Sequence, residues 1–124
     1  MRSPKESDLE SRVAESSRLI GIPSTKLQTR SDTAWPDRAF WIPGGRPLIT
    51  EFKLPGEVPR EKQEYKIDIL RRLDYDVLTV DDYETVMRAI RDRAAPWVEK
   101  TFGPGSGVAA FFPMEASQGP KTRR

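Results

Sequence analysis

The stretch Trp35-Pro36-Asp37-Arg38-Ala39-Phe40-Trp41-Ile42-Pro43-Gly44-Gly45-Arg46-Pro47-Leu48-Ile49-Thr50-Glu51-Phe52-Lys53 decides the fold. Phe40, Trp41 and Ile42 on one side of the Pro-Gly-Gly segment, and Leu48, Ile49 and Phe52 on the other, have the β propensity of two short strands joined by a tight turn. Side chains two apart in a strand share a face, so Glu51 and Lys53 point the same way. The turn decides where Asp37 goes. A two-residue Gly44-Gly45 loop would pair Asp37 with Phe52 and send the two carboxylates to opposite faces. A three-residue Pro43-Gly44-Gly45 loop, with Pro first and Gly45 in the left-handed region, pairs Ile42 with Arg46 and hence Asp37 with Glu51. Pro43 suits the three-residue loop, which is the register predicted here.

In that register two acids face each other across a ladder, with a lysine diagonal to them. Like charges placed so destabilise a hairpin by up to about 1 kcal/mol, so they serve no structural purpose. A hard divalent cation removes the repulsion, because Mg²⁺ takes one or two carboxylates together with waters and phosphate oxygens. An ammonium beside such an ion can hold or deprotonate a water. That combination outlines a site for phosphodiester hydrolysis.

The same residues carry a resemblance. Pro36-Asp37 followed, after a hairpin, by Glu51-Phe52-Lys53 resembles the signature of the PD-(D/E)xK nucleases, and more closely the small VRR-NUC (virus-type replication-repair nuclease) module. The likeness runs from about Glu6 to Ile90 and takes in Glu10, Lys26, Pro36-Asp37-Arg38, Pro43-Gly44-Gly45, Glu51-Phe52-Lys53-Leu54-Pro55-Gly56 and Gln63. It departs where Ala34 and Asp74 stand in place of glycine, and the segment from the lysine to the glutamine is about one residue short. The resemblance implies an α/β restriction-endonuclease-like core in the order α-β-β-β-α-β-α, a mixed sheet flanked by helices. It implies Mg²⁺ or Mn²⁺ held by Asp37, Glu51 and the main-chain carbonyl of Phe52. It also implies a DNA substrate, branched or Holliday-junction DNA for stand-alone members, and a homodimer.

Composition narrows the chemistry. The 124 residues suit one domain and a tail, here divided at 1–95 and 96–124. Cysteine and histidine are both absent, which removes thiolate metal sites, histidine-based nucleophile pairs and every nuclease built on a histidine base. Carboxylates and a lysine must therefore do any phosphodiester cleavage. The formal charge of +2 leans mildly towards a polyanionic partner. No apolar run approaches the ~20 residues of a membrane span and the charged start has no signal-peptide core, so a soluble, cytoplasmic protein is expected, in host cytoplasm if phage-encoded.

Around the central hairpin, Leu9, Val13 and Ile20 recur at helical spacing, closed by Gly21 and Pro23. Glu10 lies on the flank of that helix and has two readings: an outer metal ligand, or half of a capping box with Ser7. Thr25 to Arg30 reads as a strand carrying Lys26, which either faces the substrate backbone or is solvated. A helix from Pro59 to Leu73 is expected to bury Tyr65, Ile67, Ile69, Leu70 and Leu73. Gln63 in its first turn aims at the end of the preceding strand and is read as orienting a water, the lysine or a phosphate; the alternative is a surface glutamine. Glu64-Tyr65-Lys66 repeats the Glu-x-Lys pattern on a helix, where residues two apart diverge by ~200° and cannot meet on one ion. Asp76 to Val80 reads as a strand parallel to its predecessor. The last helix, capped by Asp81-Asp82, carries Tyr83, Val86, Met87, Ile90 and Ala94 and is expected to stop at Pro96.

The catalytic set predicted is thus Asp37, Glu51, Lys53 and Gln63, with Glu10 as a candidate outer metal ligand. Lys26, Arg38, Arg46, Arg60 and Lys62 are candidates for phosphate contact. Trp97, Phe102, Phe111 and Phe112 in the tail are candidates to dock on the domain or a second subunit. Two further functions fit the same residues less well. One is a catalytically silent nucleic-acid-binding module or phage accessory protein. The other is a sequence-specific restriction-type enzyme, for which the chain is short of a base-reading subdomain.

Overall fold

The core of the fold is a sheet whose central strand, β3 (Leu48–Phe52), is buried along its whole length. In the computed structural model, which describes residues 4–57 and 60–105, the other elements are α1 (Pro4–Leu19), β1 (Ser24–Lys26), β2 (Arg38–Phe40), α2 (Glu61–Arg72), β4 (Asp76–Val80) and α3 (Tyr83–Phe102). This is the α-β-β-β-α-β-α order expected. The sheet runs β1-β2-β3-β4, antiparallel through the first three strands and parallel between β3 and β4, the geometry that a crossover helix such as α2 provides. Among the described residues no helix is long and apolar enough to cross a membrane.

The two faces of the sheet differ in how much apolar surface they bury. On one, Phe40, Leu48, Phe52 and Val80 pack against Leu9 and Val13 of α1 and against Val86, Met87, Ile90, Ala94 and Val98 of α3. On the other, Ala39, Ile49 and Val77 meet Ile67 of α2, with Leu27 and Leu70 at the margin. The alternation of β3 explains the division: Leu48, Thr50 and Phe52 point to α1 and α3, and Ile49 and Glu51 to α2.

Local chemistry sets the helix ends. Gly21, at φ 92°, closes α1 while Ile22 N–H donates to Ser17 O and Gly21 N–H to Arg18 O. Asp74 does the same for α2 at φ 71°, with Tyr75 N–H bonded to Leu70 O and Asp74 N–H to Arg71 O. A residue other than glycine thus occupies a left-handed position, at a cost of ~1 kcal/mol. Asp82 caps α3 by accepting from Thr85 N–H at 2.8 Å and Thr85 Oγ1 at 2.7 Å, bonds that hold its carboxyl below the usual aspartate pKa. At the other end of β4, Asp76 takes both Nε and Nη2 of Arg93, raising the guanidinium's pKa further.

Several expectations are corrected. The ladder between β2 and β3 ends at Phe40 and Leu48, so the expected Ile42–Arg46 pairing and three-residue loop do not form. Ile42 N–H, which that pairing would aim at Arg46, turns back to Phe40 O, and the wider connection that results has both Gly44 and Gly45 at positive φ. Trp41 N–H, on the β1 side, continues the β1–β2 pairing by donating to Pro23 O. The strand expected over Thr25–Arg30 is only Ser24–Lys26; from Thr29 the chain is drawn into a polar turn, with Thr29 N–H on Asp32 O and Asp32 N–H on Thr29 Oγ1. In α2 the inward side is Gln63, Ile67 and Leu70, while Tyr65 and Leu73 are exposed.

Pro96 does not stop α3. The helix continues to Phe102, so the division expected at 95/96 falls within it. An internal proline costs ~3 kcal/mol. Val98, fully buried, and Trp97, packed on the core and edge-on to Phe102 at 5.9 Å, offset that cost. The expected helix start at Pro59 and the tail residues Phe111 and Phe112 lie outside the described residues.

Candidate active site

Two acids come together because of strand parity. Arg38 pairs with Thr50, Ala39 with Ile49 and Phe40 with Leu48, so one further step along the ladder sets Asp37 opposite Glu51. That is the predicted register, reached without the predicted loop. Both carboxylates are buried, at 2% and 1% relative exposure. Leu27 N–H donates to Asp37 O at 3.0 Å, which extends the β1–β2 pairing to this residue and fixes its direction.

The strand ends supply the rest. Phe52 N–H donates to Asp37 Oδ2 at 2.8 Å. Within a strand, N–H and C=O of one residue point to the same side, so the Phe52 carbonyl faces the Asp37 side as well. Lys53 N–H is held by Val80 O at 2.9 Å, which carries the β3–β4 pairing one residue past β3. Its ammonium stands 3.8 Å from Glu51 Oε2 on a side chain only 14% exposed. Glu51 Oε1 is buried and has no hydrogen-bond partner among the described residues.

The donors are therefore oxygen throughout: two carboxylates and a main-chain carbonyl, with an amine alongside. Such a set fits a hard divalent cation that keeps waters or phosphate oxygens in its remaining positions, and does not fit a soft metal. Among the described residues no three acidic side chains gather into a closed cage. Two carboxylates and a carbonyl would leave coordination positions of such an ion to waters or phosphate oxygens.

A comparison with solved structures finds a VRR_NUC domain at 21% sequence identity and a TM-score of 0.63, covering 71% of this chain and 96% of that one. The chain has the VRR_NUC fold. No family model matches it, and no curated protein does.

Within this VRR_NUC fold the other predicted residues are distributed as follows. Gln63 is 2% exposed in the first turn of α2, and its Oε1 accepts Arg60 N–H at 3.3 Å. Arg60 has no acceptor to return, so half a capping box forms. Glu10 is met by Arg38 Nε at 3.0 Å and Lys26 Nζ at 3.6 Å, on the α1 side of the sheet. Arg38 also donates to Ser24 Oγ at 3.0 Å. These two cations are thereby engaged with protein groups, and Ser7 lies within α1 and so does not cap it.

Arg46 sits before β3 and donates to Asp74 O at 3.0 Å. It is ~16 Å of strand away from Glu51, so it is not brought to the acid pair. Arg60 donates to Thr33 O at 3.0 Å, and Lys62 lies exposed beside it. Two features were not foreseen. Thr79 of β4 stands beside Glu51 on the ladder, placed there by the β3–β4 register. Lys66 Nζ lies 4.1 Å from the Trp35 ring centroid, a contact between residues far apart in sequence that no local pattern signals.

Proposed function

We propose that this protein is a metal-dependent endonuclease that hydrolyses DNA phosphodiester bonds, with branched or junction-containing DNA as substrate and a homodimer as the working form. The observation that supports it best is the pairing of Arg38 with Thr50, which sets Asp37 against Glu51 beside the Lys53 ammonium. The VRR_NUC fold and the motif resemblance point the same way.

Asp37, Glu51 and the Phe52 carbonyl would hold Mg²⁺ or Mn²⁺. The ion, when bound, supplies positive charge for the phosphate oxygens and acidity for a water. Lys53 holds the attacking water by hydrogen bond and offers its charge to the phosphorane oxygens as they gain negative charge. An ammonium is a compact donor suited to that role, and the bond from the Lys53 main-chain N–H to Val80 O fixes the backbone from which the side chain reaches Glu51. Asp37 is kept in place by Phe52 N–H, so the carboxylate does not need to reorganise when substrate arrives. Gln63 fixes the start of α2 through Arg60 N–H and so acts as a positioning residue for the helix beside the site.

The test is incubation with labelled four-way junction, flap and duplex DNA, in Mg²⁺, in Mn²⁺ and with chelator. Cleavage that needs the ion and is lost in Lys53→Ala supports the mechanism. Binding without cleavage in any ion would leave a silent nucleic-acid module on this fold.

A further inference from the structure

Where the first turns of α2 meet the loop ahead of Asp37, an open hollow of about 480 Å³ is lined by Ala34, Glu61, Lys62, Tyr65 and Lys66. Its volume lies in the ~300–1,000 Å³ range of small-ligand sites. Two contacts build it: Arg60 donates to Thr33 O at 3.0 Å, and the Lys66 ammonium rests 4.1 Å from the Trp35 ring. A third holds the loop from behind, Gln28 Nε2 donating to Trp35 O at 3.0 Å. Tyr65 stands in the hollow 67% exposed, the most open large apolar side chain among the described residues.

Neither fold nor catalysis accounts for that ring. The side of α2 that packs on the sheet is Gln63, Ile67 and Leu70, and Tyr65 points roughly the other way. Lys66 already covers one face of Trp35, so Tyr65 is the aromatic surface still open. Lys62 and Lys66 flank it with positive charge, and Glu61 offers a single acceptor. An aromatic face stacks any base, lysines take backbone phosphates, and a carboxylate accepts from an exocyclic amino group. Bases within a duplex are already stacked on each other and present no free face. The chain leads from Trp35 to Asp37 in two residues, at most ~7 Å of backbone, which ties the hollow to the strand that carries the acid pair.

We propose that this hollow receives an unpaired nucleotide adjoining the scissile phosphate, stacked on Tyr65 with its backbone on Lys62 and Lys66. The proposal rests on the nuclease assignment for the meaning of the scissile phosphate, but its test does not require cleavage.

Anisotropy would be measured on the full chain in chelator, with a blunt duplex and with the same duplex carrying a short single-stranded overhang, 2-aminopurine at the first unpaired position. The parent is expected to bind the overhang DNA at least tenfold tighter than the blunt one and to quench the 2-aminopurine. Tyr65→Ala should lose roughly five- to a hundredfold on the overhang DNA and nothing on the blunt one, and Tyr65→Phe should keep the parent's preference. Equal affinity of the parent for both DNAs, no binding to either, or an equal effect of Tyr65→Ala on both would overturn the proposal. If overhang preference survives while the junction panel shows no cleavage, only the nuclease assignment falls.

Discussion

The two faces of the sheet treat buried acid in opposite ways. On the α1 side, Glu10 is matched by Arg38 and Lys26 and sits at the edge of the large apolar cluster. On the α2 side, Asp37 and Glu51 are set against each other where the apolar cluster shrinks to four buried residues among those described. Burial alone therefore says little about a carboxylate's role; what it faces says more. One face uses its charges to hold helix to sheet; on the proposed nuclease reading, the other sets them where an ion and a phosphate would enter.

The contrast is most exposed to failure in catalysis. Lys53→Ala should lower ion-dependent DNA cleavage by about a hundred- to ten-thousandfold while circular dichroism and thermal midpoint stay near the parent's. A variant as active as the parent would erase the distinction between the faces. Next in size is Glu10→Ala, which leaves the largely buried Arg38 guanidinium without its carboxylate. It is expected to cost about 3–5 kcal/mol in denaturant unfolding. If Glu10→Gln instead abolished cleavage with the midpoint unchanged, Glu10 would belong with the acid pair.

Ion binding sharpens the comparison further. Mg²⁺ or Mn²⁺ at a hundred times its dissociation constant should stabilise the parent by about 2.7 kcal/mol, read as a rise in thermal midpoint that chelator reverses. Asp37→Asn should remove most of that rise and Glu10→Gln should keep it. The smallest effect expected is that of Lys26→Ala, because its ammonium is 60% exposed and reaches Glu10 at 3.6 Å. It should change stability by no more than about 1 kcal/mol, and a larger loss would show that Arg38 alone does not neutralise Glu10.

The acid pairing and the strand order were legible because strand parity is a local property. Asp37, Glu51 and Lys53 needed only a period of two and the parity of the turn to fall on one face. The turn departs from its predicted form because Ile42 N–H folds back on Phe40 O while the Ile42 side chain is buried in the core that α1 and α3 make, a setting the local pattern does not contain. The helix through Pro96 was missed for a similar reason: proline's local cost is known, whereas the burial of Val98 depends on where α1 and β3 lie. In α2, Tyr65 fits an apolar arc as well as Ile67 does, and only the position of the sheet separates them. Arg38 illustrates the limit most clearly, as its partners Glu10 and Ser24 come from two earlier elements.

Arg71 bears on how copies of the chain could associate. Val80 turns its carbonyl towards β3, so by alternation the Val77 carbonyl opens to the outer margin of β4, and there it accepts from Arg71 Nη2 at 2.9 Å. A guanidinium laid over that margin occupies an acceptor that a second sheet would need to zip alongside it. Lateral growth of the sheet through β4 is thereby obstructed. A second copy pairing strand to strand would be left with the short β1 edge at the opposite side of the sheet, or would have to meet this one through helices or loops.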